Sequence, residues 1–281
     1  MTRLGENGYG KSRVRLVKVS RRDGRHELRD LTVSVRLEGD FNDAHARGDN
    51  RDVLPTDTMK NTVYALGRQT EIDAIEDFAR ALATHFLPDN PVVHRARVTV
   101  REQVWQRIPV AGRAHPHAFL RASEEVDLAT VTAEGDITRV ESGIDDLRVL
   151  KTTGSAFEGF PRDRYTTLRE TSDRVLATAM RVRWTYALSE ISYAECRVRA
   201  REALLETFAD HESRSVQHTA YAMGEAVLER CPEIDAVAFS MPNKHHLVVD
   251  LTPFGLDNPN EIFVATEEPY GLIEAVVRRD A

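Results

Sequence analysis

Cysteine is nearly missing from this chain. Cys196 and Cys231 are its only two, and they stand at neither zinc-ligand nor CxxC spacing. That excludes a metal ribbon and a dithiol redox motif, and two reduced structural thiols fit a cytosolic chain. Long hydrophobic runs are missing too. No segment approaches membrane-spanning length, and the start, MTRLGENGYGKSRVRL, lacks the apolar stretch of a secretory signal. The last residues, Arg278 to Ala281, carry no Ser-Lys-Leu peroxisomal address, so a cytoplasmic location is expected. Excess positive charge is absent. A net charge of −7 argues against a bulk grip on nucleic acid or an anionic membrane, while leaving room for a small anionic substrate in a locally positive pocket. There is no P-loop, no GxGxxG after a strand, no GxSxG and no HExxH.

Lysine is scarce in a different way. Of 38 basic residues only Lys11, Lys18, Lys60, Lys151 and Lys244 are lysine, and the rest are arginine. Where arginine is the default cation, a lysine is a candidate for a position that needs an amine.

What is present is a period-two pattern. Arg13 to Ser20 reads as a strand. After a turn at Asp23-Gly24, Leu31, Val33, Val35 and Leu37 alternate with polar residues, which predicts a long antiparallel hairpin. Phe41 to Asp52 reads as a loop. Val53 to Leu66 opens with turn chemistry and then a helix start, with Thr56, Asp57 and Thr58 as N-cap candidates. Ile72, Ile75, Phe78, Ala79, Leu82 and Phe86 fall at helical spacing. Residues 94–101 alternate again, with 117–132 expected as their strand partner after a turn at Gly112.

The second half repeats the order less tidily. Strands are expected within 130–150 and over 179–186, helices near 193–208 and 216–230, and strands at 236–240, 247–251, 261–266 and 272–277. Two antiparallel sheets with helices on one face make an α+β chain of two domains, 1–140 and 141–281. A polar, Arg-lined sheet face has to be covered by curling or by assembly, so homo-oligomerisation is expected.

Candidate chemistry falls in four places: Tyr9-Gly10-Lys11; Thr56-Asp57; Phe157 to Phe160 with Arg174; and Ser215-Val216-Gln217 with Met241 to His245. Taken singly, each has an ordinary structural reading. Lys11 reads as a solvated terminal lysine, Phe157 and Phe160 as core, Arg174 as a surface cation and Asn243 as a turn residue. His115 and His117 can share a strand face, but no third ligand is visible. His245 and His246 point to opposite faces, so no metal site is assembled.

Together these stretches resemble the urate oxidase (uricase) family over essentially the whole chain. The resemblance rests on Tyr9-Gly10-Lys11, Leu37-Glu38-Gly39-Asp40, Thr56 to Thr62 (TDTMKNT), His115 to Phe119, Arg162 to Leu168, Ser215-Val216-Gln217 and Pro242 to His245. TDxxKNT and SVQ…PNKH in one chain are highly specific. Glu158, between the two phenylalanines, is not aromatic, and Pro55 precedes Thr56. Neither departure removes a proposed functional group.

The resemblance implies two tandem tunnelling-fold (T-fold) domains in a homotetramer around a tunnel. It implies oxidation of urate by O2, without cofactor or metal, to 5-hydroxyisourate and hydrogen peroxide. Phe157 would stack on the purine, Arg174 and Gln217 would clamp its two edges, and the backbone N–H groups of Val216 and Asp57 would donate to it. Lys11, Thr56 and His245 would form a proton relay, and Asn243 would hold O2 or water. Thr56 and Asp57 would come from the neighbouring subunit. Two rivals are weighed: a zinc-dependent pterin or purine enzyme of the same fold, and a non-catalytic purine-binding protein that would have no use for Lys11, Thr56 or His245.

Overall fold

A computed structural model describes residues 2–121, 123–188 and 190–280. Ala122, inside the 117–132 stretch, and Ala281, at the end read for a targeting address, lie outside the described residues. The chain divides into two compact units, Met1–Gly143 and Ile144–Ala281.

The first unit begins with the expected hairpin, longer than its alternating core suggested. β1 (Gly8–Arg22) pairs antiparallel with β2 (Arg25–Gly39), which pairs with β3 (Val93–Gln103), which pairs with β6 (Val126–Glu134). Leu31, Val33, Val35 and Leu37 of β2 all point inward, with Ala96, Val98 and Val100 of β3 and Ala129 and Val131 of β6 beside them. Each fully buried valine or leucine side chain among these contributes about 1.5–3 kcal/mol. The opposite face carries an ion-pair ladder in register. Arg95 on β3 bonds Glu134 on β6 at 2.8 Å and Glu38 on β2 at 3.1 Å.

Two helices cover the apolar face. α3 (Ile75–His85) buries Ile75, Phe78, Ala79 and Leu82 against β3 and β6; Ile72 is buried but precedes the helix. α2 (Thr56–Gln69) buries Met59, Val63 and Gly67. A Cβ at Gly67 would lie 2.8 Å from the tip of the Leu16 side chain, so a larger residue there would make Leu16 shift where α2 packs on β1.

Two expectations for this unit need correction. The 41–52 segment holds a six-residue helix, α1 (Asn42–Arg47), closed by Gly48 in the left-handed conformation. Its lack of any buried residue explains why no apolar period announced it. Within 117–132, only the part in β6 pairs with β3. The preceding stretch forms a separate hairpin, β4 (Gln106–Val110) with β5 (Arg113–Leu120). Ala111 and Gly112, both at positive φ, make the two-residue turn that closes those strands on each other. Beyond β6 the chain reverses at Gly135 into β7 (Ile137–Lys151), which runs into the second unit.

In the second unit β8 (Leu176–Tyr186), β9 (Ile234–Asn243) and β12 (Gly271–Arg278) lie in that order, all antiparallel. Met180, Val182 and Trp184 alternate inward from β8, and the buried Trp184 indole donates to the Tyr186 hydroxyl at 2.8 Å. α4 (Tyr193–Asp210) and α5 (Val216–Arg230) supply the other half of this core. Cys196 and Cys231 are free thiols within it, fully buried. A short pair, β10 (His246–Val248) with β11 (Phe263–Ala265), occupies less than the expected 247–251 and 261–266. Among the described residues no helix is long and apolar enough to cross a membrane.

Candidate active site

Of the nine candidate residues, Lys11, Thr56 and Asp57 belong to the first unit and the other six to the second. In the first unit, Gly10 precedes the candidate lysine. A Cβ there would lie 1.9 Å from the Val35 carbonyl, so only glycine lets β1 run this close to β2. Just past it the register shifts between Lys11 and Val14, with Arg13 at positive φ. A bulge of this kind re-aims side chains at the end of a ladder. The Tyr9 hydroxyl donates to the Leu54 carbonyl at 3.0 Å, tying the Lys11 strand to the segment that enters α2.

The helix start differs from the sequence reading. The N-cap position is Pro55, and no side chain caps the helix. Thr56, Asp57 and Thr58 lie inside the first turn. The first intrahelical bond runs from Met59 N–H to the Pro55 carbonyl at 3.2 Å, so the N–H groups of Thr56, Asp57 and Thr58 precede it. The Asp57 carboxylate turns back along the helix to Lys60 at 2.5 Å and to Asn61 at 3.1 Å. The Lys60 ammonium holds this carboxyl below the usual carboxylate range, Asn61 and the charge of Lys11 adding smaller pulls. With its carboxylate engaged, Asp57 is left with its backbone N–H to offer at the positive end of a helix.

In the second unit, Phe157 sits in an isolated antiparallel bridge with Thr171. Its N–H donates to the Thr171 carbonyl at 2.8 Å, and the Thr171 N–H returns a bond of 3.2 Å. This closes the 157–171 loop and brings Arg174 back, its guanidinium 5.2 Å over the Phe157 ring. Asp173 fixes the approach. It accepts from the Thr153 hydroxyl at 2.7 Å, from the Ser155 N–H at 3.4 Å, and from the N–H groups of Gly154 and Arg174. The Thr153 hydroxyl bond is the main reason its carboxyl lies below the usual range, with burial opposing it. Burial alone pushes the Arg174 guanidinium down, and its Nε is buried with no partner.

A second bridge brings in α5. Ser155 pairs with Ser213, with Ala156 N–H to the Ser213 carbonyl at 2.7 Å and Ser213 N–H to the Gly154 carbonyl at 2.9 Å. Two residues on, Ser215 is a true N-cap, its hydroxyl accepting from His218 N–H at 3.1 Å. The first intrahelical bond is Thr219 N–H to the Ser215 carbonyl, so the Val216 and Gln217 N–H groups lie ahead of it. Val216 buries its side chain and Gln217 exposes its own.

Asn243 ends β9 between Thr178 of β8 and Gly271 of β12. The Lys244 N–H donates to the Ala177 carbonyl at 2.9 Å, three residues beyond Arg174, and the Thr266 N–H donates to the His245 carbonyl at 2.9 Å. The Asn243–His245 turn is thus pinned against the start of β8. Lys244 itself pairs with Glu267 at 3.0 Å.

Elsewhere, the His115 and His117 rings meet edge to face at 4.5 Å, and one nitrogen of His115 accepts the His117 N–H at 3.4 Å. Among the described residues, no group of three or more His, Cys, Asp or Glu side chains could hold a metal ion. Sequence reasoning missed Asp173 and Thr171. Asp173 had a signal, a carboxylate next to a singled-out arginine. Thr171 had none, because an isolated bridge leaves no periodic trace.

The comparisons with known proteins agree over the chain's length. The sequence model of the family described as Uricase matches residues 7–132 and 140–274. The uricase of Arthrobacter globiformis is 48% identical over 277 residues, covering 99% of this chain and 90% of that protein. That of Dictyostelium discoideum is 38% identical over 283 residues, covering 99% and 98%. The crystal structure of the Arthrobacter globiformis uricase superposes with a TM-score of 0.95, covering 100% of this chain and 96% of that one. With the family model spanning nearly all of it and relatives 48% and 38% identical over at least 90% of their length, the chain belongs to the uricase family.

Proposed function

We propose that this chain oxidises urate with O2 and water to 5-hydroxyisourate and hydrogen peroxide. The observation that carries the reading is Arg174: a half-buried guanidinium over a phenylalanine face, its buried Nε without an acceptor. A desolvated arginine with an open hydrogen-bonding edge is built for a planar anion, and urate presents a carbonyl and a ring nitrogen side by side to a two-pronged donor. Phe157 stacks on the purine face. Gln217 binds the opposite edge, and the Val216 and Asp57 N–H groups donate from the starts of two helices.

Triplet O2 reacts slowly with closed-shell molecules, and a more electron-rich purine lowers that barrier. The site therefore needs a base that draws bound urate toward its dianion. Lys11 serves as that base, Thr56 relays the proton and His245 extends the relay. Asn243 holds O2, and later water, above the ring. The reaction balances as urate, O2 and water going to 5-hydroxyisourate and peroxide, with no resident cofactor in the scheme.

The two units act as tandem T-fold domains, and the protein works in the cytoplasm as a homotetramer. The Lys11, Thr56 and Asp57 half of one copy completes the Phe157 and Arg174 half of a neighbour. A neighbour's contribution would explain why helix-start N–H groups are left uncapped.

The test is purified protein with urate in air, with chelator present, following loss of the urate absorbance and appearance of peroxide. Stoichiometric urate loss and peroxide with chelator present is the expected result. Turnover abolished by chelator would favour the zinc enzyme, and tight urate binding without turnover would favour the binding protein.

A further inference from the structure

Fixing the backbone of Phe157 does not fix its ring. The two bonds to Thr171 hold the main chain, but the final torsion of a phenylalanine is broad. A ring that must lie parallel to a flat ligand, and at the right tilt to Arg174, needs something against its other face. Phe160 supplies it. The two rings stack with centroids 4.9 Å apart and an interplanar angle of 14°. The return is made by Gly159 at φ +70°, whose N–H is held by the Glu170 carboxylate at 3.1 Å. The Arg162 guanidinium lies 5.3 Å over the Phe160 ring, so the backing ring is itself covered.

We propose that Phe160 is a positioning residue: it sets the plane of the Phe157 ring and, through it, the plane in which a stacked purine meets Arg174. This rests on the urate reading above. With Phe160 stacked on one face of the Phe157 ring, a purine that stacks on Phe157 does so from the other side, beside the Arg174 guanidinium. Tilting Phe157 would swing the far edge of a stacked purine away from Arg174, so binding and orientation would weaken together. Phe160 reads from the sequence as core, yet it stays half-exposed in a loop.

The experiment measures urate affinity under anaerobic conditions and steady-state turnover in air, on the whole protein, for wild type, Phe160→Leu, Phe160→Met and Phe160→Tyr. Phe160→Leu and Phe160→Met keep apolar bulk without a flat face and are expected to weaken anaerobic urate binding roughly three- to tenfold, with kcat lowered as well. Phe160→Tyr restores the flat face and is expected within about twofold of wild type. In a Phe157→Leu background the Phe160→Leu effect should vanish, because Phe160 acts only through Phe157. Urate binding by wild type that Phe160→Leu and Phe160→Met leave unchanged, or an equal loss in the Phe157→Leu background, would overturn the inference alone. Failure of wild type to bind urate would overturn the functional reading and the inference with it.

Discussion

The Arg174 guanidinium lies 5.2 Å over the Phe157 ring, and its buried Nε meets no acceptor. Burying an arginine donor without a partner costs free energy unless a ligand supplies the acceptor. The surroundings hold this arrangement firmly. Asp173 accepts from the Arg174 N–H and Phe157 exchanges two backbone bonds with Thr171, so the main chain is anchored at both residues.

Arg174→Lys should therefore fail to rescue. A lysine keeps the charge but loses the planar fork, and losing one charge-assisted hydrogen bond costs about 1.5–3 kcal/mol. In steady-state kinetics with urate, kcat/KM should fall roughly 10- to 100-fold. A change within twofold would contradict the two-pronged clamp.

Lys11→Met should act on the other kinetic parameter. Removing a general base lowers the chemical step by about 10²-fold or more and leaves ground-state binding largely in place. Turnover should collapse while anaerobic urate affinity changes little. Parallel loss of both would show that Lys11 binds urate and is not the base.

Tyr9→Phe tests how the first half-site is held. It deletes the hydroxyl that donates to Leu54 and leaves that carbonyl short of a partner. Stability should drop by about 1 kcal/mol, read as a lower Tm by calorimetry, and kcat should fall because Thr56 and Asp57 follow directly on the anchored segment. An unchanged Tm would mean the bond makes no net contribution.

Acid stability should depend on His211. Burial pushes its imidazole below the ordinary value of 6.5, and the His218 ring and Lys151 ammonium push the same way. A base with a depressed folded pKa binds fewer protons folded than unfolded. Its stabilising contribution is present above about pH 6.5 and is lost as pH falls from there toward the folded pKa. The Tm of wild type should decline more steeply below about pH 6.5 than that of His211→Gln. Parallel pH profiles would contradict this.

The legibility of the chain followed periodicity. β2, β8, α3 and α5 were readable because one face is buried and repeats at two or about 3.6 residues. α1, which buries nothing, and the β4–β5 hairpin, closed by a local turn, left no such pattern. The cap reading of Thr56 and Asp57 failed because residue type favours capping there while Pro55 takes the N-cap place. The resemblance to the uricase family marked Lys11, Arg174 and Gln217. It could not mark Asp173 or Thr171, whose roles arise from backbone contacts between loops distant in sequence.

The most direct test of the central claim joins two disabled proteins. Lys11→Met and Arg174→Ala are each assayed for urate and O2 consumption alone, and then after co-assembly from a mixed unfolded pool. If each site takes Lys11 from one copy and Arg174 from another, both variants alone should be nearly inactive. Random co-assembly should then restore up to about a quarter of wild-type turnover. Wild type that consumes urate with matching peroxide, beside a co-assembled mixture as inactive as its parts, would contradict a site shared between copies.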